Sequence, residues 1–87
     1  MSRDKKLIEQ LLQRPRSGMR WDDVRKALEM LGWELKRQKG SHAAFRKDSR
    51  QAITISLVGG QMVRREAIAD ICVNADEDIR AFLGSDE

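Results

Sequence analysis

Leu31-Gly32-Trp33-Glu34-Leu35-Lys36-Arg37-Gln38-Lys39-Gly40-Ser41-His42-Ala43-Ala44-Phe45-Arg46 contains the change of period that sets the fold class. Before it the apolar residues recur every three or four positions. From Trp33 onward the spacing is two: Trp33, Leu35 and Arg37 alternate with Glu34, Lys36 and Gln38. Successive side chains of a strand leave opposite faces, so this alternation predicts a strand. Lys39-Gly40-Ser41 predicts a turn and His42 to Arg46 a returning strand. Alternation also assigns the faces of that second strand. Phe45, with Ala43, belongs to a core, whereas His42, Ala44 and Arg46 point to the opposite side.

Working toward the N-terminus, Trp21, Val24, Leu28 and Leu31 follow helical spacing, with Ala27 beside them. Asp22 and Asp23 fall in the first turn, where they oppose the helix dipole favourably. Gly32 stands where a left-handed residue ends a helix. An earlier helix is expected over Asp4 to Gln13, with Leu7, Ile8, Leu11 and Leu12 on one stripe. Pro15 stops it by forcing the preceding residue out of the helical region. Arg16 to Met19, including Gly18, is expected to be a connector.

Working toward the C-terminus, Lys47 to Gln51 is a polar turn and Ala52 to Val58 the strongest strand. Ile53, Ile55 and Leu57 share one of its faces; Thr54 and Ser56 share the other. Gly59-Gly60 predicts a loop. A helix follows from about Arg64 to Val73, with Ala67, Ile68, Ile71 and Cys72 inward, then a short one from Asp76 to Leu83 carrying Ile79, Phe82 and Leu83. The expected fold is α+β: two helices, a three-stranded antiparallel meander, a helix and a short helix. Helices on one face of such a sheet leave the other open, and function belongs there.

At 87 residues the chain is expected to be one domain, 1–87. A domain of this size buries only about 60% of its unfolded surface, leaving little room for an elaborate site. The net charge of +3 hides an asymmetry. Residues 33 to 65 hold eight Lys/Arg against Glu34 and Asp48, whereas residues 66 to 87 hold Arg80 against seven acids. A basic stretch followed by an acidic end suggests a polyanion-facing surface with a solvated or self-shielding tail. Cys72 has no partner for an intrachain disulfide, which favours a reducing compartment. No segment suits a signal peptide or a membrane span, so the expected location is the cytoplasm.

One Cys and one His make no recognisable zinc site, and no glycine pattern cradles phosphates. Neither metal nor cofactor is expected. Trp21 and Trp33 continue apolar periodicities and belong to the core, Met30 and Met62 fill gaps, and Cys72 acts as a small buried hydrophobe. That leaves His42, the single histidine, placed after a Gly-Ser turn and amid Lys36, Arg37, Lys39 and Arg46. Imidazole exchanges protons near neutral pH without a large shift, and the surrounding cations would draw a phosphodiester to it. The plainer reading is a surface histidine without a role, or one that bonds its turn.

The same run of residues, Leu31 to Arg46, resembles the core signature of the HicA family of toxins. That signature is a helix ending in Leu-Gly-Trp, a strand, then Arg37-Gln38-Lys39-Gly40-Ser41-His42 and a following aromatic, Phe45. Ile53-Thr54-Ile55, the Gly59-Gly60 loop and the helix near Arg64 follow in the family's order, so the resemblance spans about residues 20 to 83. It implies a fold like the double-stranded-RNA-binding domain, α-β-β-β-α, with the helix over about 4–13 as an addition. It further implies a metal-independent ribonuclease that cleaves messenger RNA and halts translation, neutralised by a HicB-type antitoxin. The family's catalytic histidine falls on His42. Ala43 stands where many members carry a second histidine.

RNA supplies its own nucleophile, the 2′-hydroxyl. His42 would accept its proton, with Lys39, Arg37 or Arg46 stabilising the extra negative charge and Lys36, Gly40 and Ser41 completing an RNA-binding surface. Two other classes fit the same surface: a non-catalytic RNA-binding module, and a protein-interaction domain matched to an acidic partner.

Overall fold

The computed structural model describes residues 2–84, with side chains from Lys5 onward. Nine elements follow in order: α1 (Ser2–Gln13), β1 (Met19–Arg20), α2 (Trp21–Met30), β2 (Glu34–Lys39), β3 (His42–Arg46), β4 (Ile53–Val58), β5 (Met62–Val63), α3 (Arg65–Asn74) and α4 (Asp76–Gly84). The α+β class, the central meander and all four helices are as expected. The sheet is wider than expected. It has five strands in the order β1-β5-β4-β3-β2, every neighbouring pair antiparallel.

The two added strands have two residues each. Met19 pairs with Val63 and Arg20 with Met62, and β5 in turn pairs with the end of β4, Val63 opposite Leu57 and Met62 opposite Val58. Met19, expected in a connector, is therefore a buried strand residue. Gly18 permits the approach of these strands: its φ is +82°, and a Cβ there would run into the Val63 carbonyl oxygen. Gly18→Ala combines left-handed strain with a backbone clash and is expected to cost about 2 kcal/mol or more. Thermal unfolding should show a drop in Tm of roughly 10 °C.

The core lies between the helices and one sheet face. Val24, Ala27 and Leu28 of α2, Ile8 and Leu11 of α1, and Ile68 and Ile71 of α3 meet Phe45, Ile53, Ile55 and Val63 from the sheet. Trp21 closes against Phe45 edge-on, with ring centroids 5.8 Å apart. Trp33 and Cys72 are buried as expected, and Cys72 Sγ donates to the Leu11 carbonyl. Leu12 departs from its expected stripe. It is 43% exposed because Ile8 and Leu11 occupy the inward face of α1. Met62 is half-buried at the sheet, not a core gap-filler.

Asp78, from the stretch expected to be a solvated tail, is buried at 7% exposure. It accepts hydrogen bonds from Trp33 Nε1 (3.0 Å), Lys47 Nζ (2.5 Å) and Arg50 Nη1 (2.5 Å). Lys47 also donates to the Leu31 carbonyl at 2.7 Å, satisfying the open C-terminal end of α2. The Arg50 guanidinium lies 6.0 Å from the centre of the Trp33 ring. One carboxylate thus ties α4 to the end of α2 and to the β3–β4 turn. Burial alone would raise its pKa, but the hydrogen bonds from Lys47, Arg50 and Trp33 outweigh that and hold the carboxyl below the usual aspartate value.

Candidate functional site

Strand register fixes which side chains share the open face. In β3 the exposed and buried residues alternate: His42 and Arg46 are exposed, Ala43 and Phe45 buried. In β4, Thr54, Ser56 and Val58 are exposed, and Ile53, Ile55 and Leu57 buried. Directly paired residues lie on the same face, so His42 stands beside Ser56 and Ala44 beside Thr54. Ser56 Oγ lies 3.4 Å from His42 Nδ1, a long contact whose donor depends on the imidazole tautomer.

The strand β2 breaks its own alternation. Leu35 pairs with Phe45 but Arg37 pairs with Ala44, so the register shifts between them and Lys36 is the extra residue of a β-bulge. The bulge changes which side chains face the site. Strict alternation, as expected from the sequence, would send Arg37 to the core side with Trp33 and Leu35. Instead Arg37 shares the open face with Ala44, and Lys39 shares it with His42.

The hairpin connecting β2 to β3 is the two-residue tip Gly40-Ser41. Gly40 has φ 59° and Ser41 a negative φ, the combination a type II′ turn requires. No side chain other than glycine enters that first position without strain. The tip is fastened to the sheet where Leu57 N–H donates to the Ser41 carbonyl at 2.7 Å. Ser41 and Gly40 therefore hold Lys39 and His42 side by side at the closing pair of the hairpin.

These elements surround a depression of about 500 Å³ lined by Arg37, Lys39, His42, Ala44, Thr54 and Ser56, with Ala43 and Ile55 beneath. Arg37 and Lys39 have no ion-pair partner among the described residues, leaving both charges available. The other expected cations lie elsewhere. Lys36 pairs with Glu34 at 2.8 Å, and its ammonium holds the Glu34 carboxyl below the usual range. Arg46 faces the same side of the sheet, opposite Glu34, but four residues along β3 from His42, a separation of about 13 Å. Ser56 was expected only as a face residue; its contact with His42 depends on the register of two strands that no local pattern in the sequence encodes.

Two features of the basic stretch are structural. Lys47 and Arg50, counted in its charge, are both bound to Asp78. The sequence asymmetry is thereby partly cancelled inside the fold, whereas Arg37 and Lys39, beside His42, keep their charges uncommitted among the described residues. Among the described residues no helix is long and apolar enough to cross a membrane.

A model of the family described as HicA toxin of bacterial toxin-antitoxin matches residues 21–76. No curated protein and no solved structure matches the chain. The matched segment runs from the first residue of α2 to the first of α4, and so includes the bulge, the Gly40-Ser41 tip, His42 and Ser56. It leaves out α1, which packs on α2 and α3 from outside. With most of its length matched, and with the meander and the sheet-face histidine in the expected order, the chain belongs to the HicA toxin family.

Proposed function

We propose that this toxin is a metal-independent endoribonuclease acting on messenger RNA in the cytoplasm, with His42 as its proton-transfer group. The observation that supports the reading is the convergence of His42, Arg37 and Lys39 over one depression, brought about by the bulge at Lys36. When His42 Nδ1–H donates to Ser56 Oγ, Nε2 keeps its lone pair and acts as the base. It takes the proton of a ribose 2′-hydroxyl as that oxygen attacks the adjacent phosphorus. Arg37 and Lys39 stabilise the negative charge of the phosphorane. The P–O5′ bond then breaks, and the 5′-oxygen takes a proton from water or from Lys39. The products are a 2′,3′-cyclic phosphate and a 5′-hydroxyl.

An exposed cationic site of this kind must be masked between uses, and a HicB-type antitoxin with acidic groups over Arg37 and Lys39 would do so. The test is cleavage of a synthetic RNA in the presence of a chelator, with and without a 2′-deoxy substitution at the scissile position. Cleavage of the all-ribose strand to a 2′,3′-cyclic phosphate, with none of the substituted strand, is the expected result. Cleavage of both strands would rule out attack by the 2′-hydroxyl. Binding without any cleavage would favour a non-catalytic RNA-binding module.

A further inference from the structure

The open face does not end at His42. Two residues beyond Ser56 along β4, Val58 emerges on the same side and is 42% exposed. Val58 pairs with Met62, and Met62 pairs with Arg20, so these three side chains form a row across β4, β5 and β1 on the face that carries His42. The step from Ser56 to Val58 is about 7 Å along the strand, and from Val58 to Arg20 about 10 Å across two strand spacings. Beyond Met62 a second depression of about 350 Å³ opens, lined by Arg20, Trp21, Asp22, Gln61 and Met62 with Gly60 at its edge.

We propose that this row is a second nucleotide-binding subsite, which holds the single strand flanking the bond cleaved at His42; the proposal rests on the ribonuclease reading above. Val58 and Met62 form an apolar step at the edge of the polar centre around His42, Ser56 and Thr54. A nucleobase has a flat, weakly hydrated face suited to such a step, and the Met62 thioether adds polarisable contact with an aromatic ring. Arg20 is exposed and has no ion-pair partner among the described residues, so its guanidinium is available to a backbone phosphate. The Asp22 carboxylate disfavours a free anion in the same depression. Together with the Gln61 amide it instead offers hydrogen bonds to the amino edge of a base. The chemistry is that of a nucleotide, one phosphate and one base, and not of inorganic phosphate.

The subsite is also preformed. Trp21 N–H donates to the Gln61 carbonyl at 2.7 Å, and the β1–β5 pairing fixes Arg20 opposite Met62. Little ordering is needed when a strand binds.

The test measures binding by the His42→Ala protein, whose cleavage is expected to be too slow to consume the probe, of a fluorescent single-stranded RNA on the order of eight nucleotides long. Adding Arg20→Gln should raise Kd about threefold to tenfold at low salt. It should also flatten the dependence of log K on log salt by about 0.7, the loss of one single-strand phosphate contact. Val58→Ser should raise Kd about threefold with an unchanged salt slope, because it removes stacking area and no charge. Arg20→Lys should restore most of the slope, and Arg25→Gln, at a helix residue paired to Glu29, should change neither quantity. An Arg20→Gln protein with unaltered Kd and salt slope overturns the subsite. Cleavage of the same RNA by the protein with His42 intact is measured in parallel. If that fails, the ribonuclease reading falls, while the binding data still decide whether the row holds RNA.

Discussion

His42→Ala is expected to reduce RNA cleavage by about 10²- to 10⁴-fold, the usual contribution of a positioned proton-transfer group. RNA binding by the same variant should change by no more than about twofold, because the phosphate-binding charges are those of Arg37, Lys39 and Arg20, which the substitution leaves in place. Cleavage assays on purified protein and binding measured by fluorescence anisotropy check the two halves separately. Stability should move by less than about 0.5 kcal/mol, since the imidazole is exposed and its polar contact to Ser56, at 3.4 Å, is long. Ser56→Ala is the companion variant. It leaves the base in place but removes the group that orients it, so a smaller loss of about tenfold is expected, carried by kcat and not by KM.

The largest effect on stability is expected at Asp78. Asp78→Ala leaves the Trp33 indole N–H and two cations without their acceptor, in a site where the carboxylate is 6% exposed, Lys47 22% and Arg50 35%. Breaking a buried pair from one side typically costs about 3–5 kcal/mol, and the partial exposure of Arg50 moves the expectation to about 3. For a domain of this size that corresponds to a fall in Tm of roughly 10–20 °C, enough to leave much of the chain unfolded at growth temperature. Because the Asp78 pKa is depressed in the folded state, its contribution is fully present above the ordinary aspartate pKa and fades as pH falls through the folded value. Urea denaturation at several pH values should therefore show acid sensitivity in the wild type, diminished in Asp78→Asn. Loss of toxicity in Asp78→Ala would accompany loss of folded protein, whereas His42→Ala would remain folded.

The central meander could be read from the sequence because its alternation is strong and its faces differ in polarity. Phe45 and Ala43 on one side, and His42 and Arg46 on the other, leave a single register for β3. The bulge at Lys36 had no such signature. A glycine at that position would have suggested one, but a lysine is compatible with any exposed strand position. Strict alternation from Trp33 carries both Arg37 and Lys39 to the core face, so their grouping with His42 rests in the sequence on nearness along the chain alone. The bulge supplies the register that puts both on its face. The strands β1 and β5 escaped notice because two residues cannot display a period, and their pairing follows from Gly18 letting Met19 approach Val63. Asp78 is the clearest limit of local reading. Its partners Lys47 and Trp33 lie 31 and 45 residues away in sequence. An aspartate among Asp76 and Glu77 looks solvated until the fold brings two cations and an indole to it.

Growth after induction tests the central claim most directly, comparing the wild type with His42→Ala at matched levels of folded protein. Arrest by the wild type alone is the expected result, and would make the imidazole the toxic principle. Arrest by both proteins would contradict it by showing that RNA occupancy does the harm without His42 chemistry, and arrest by neither would contradict the toxic activity itself.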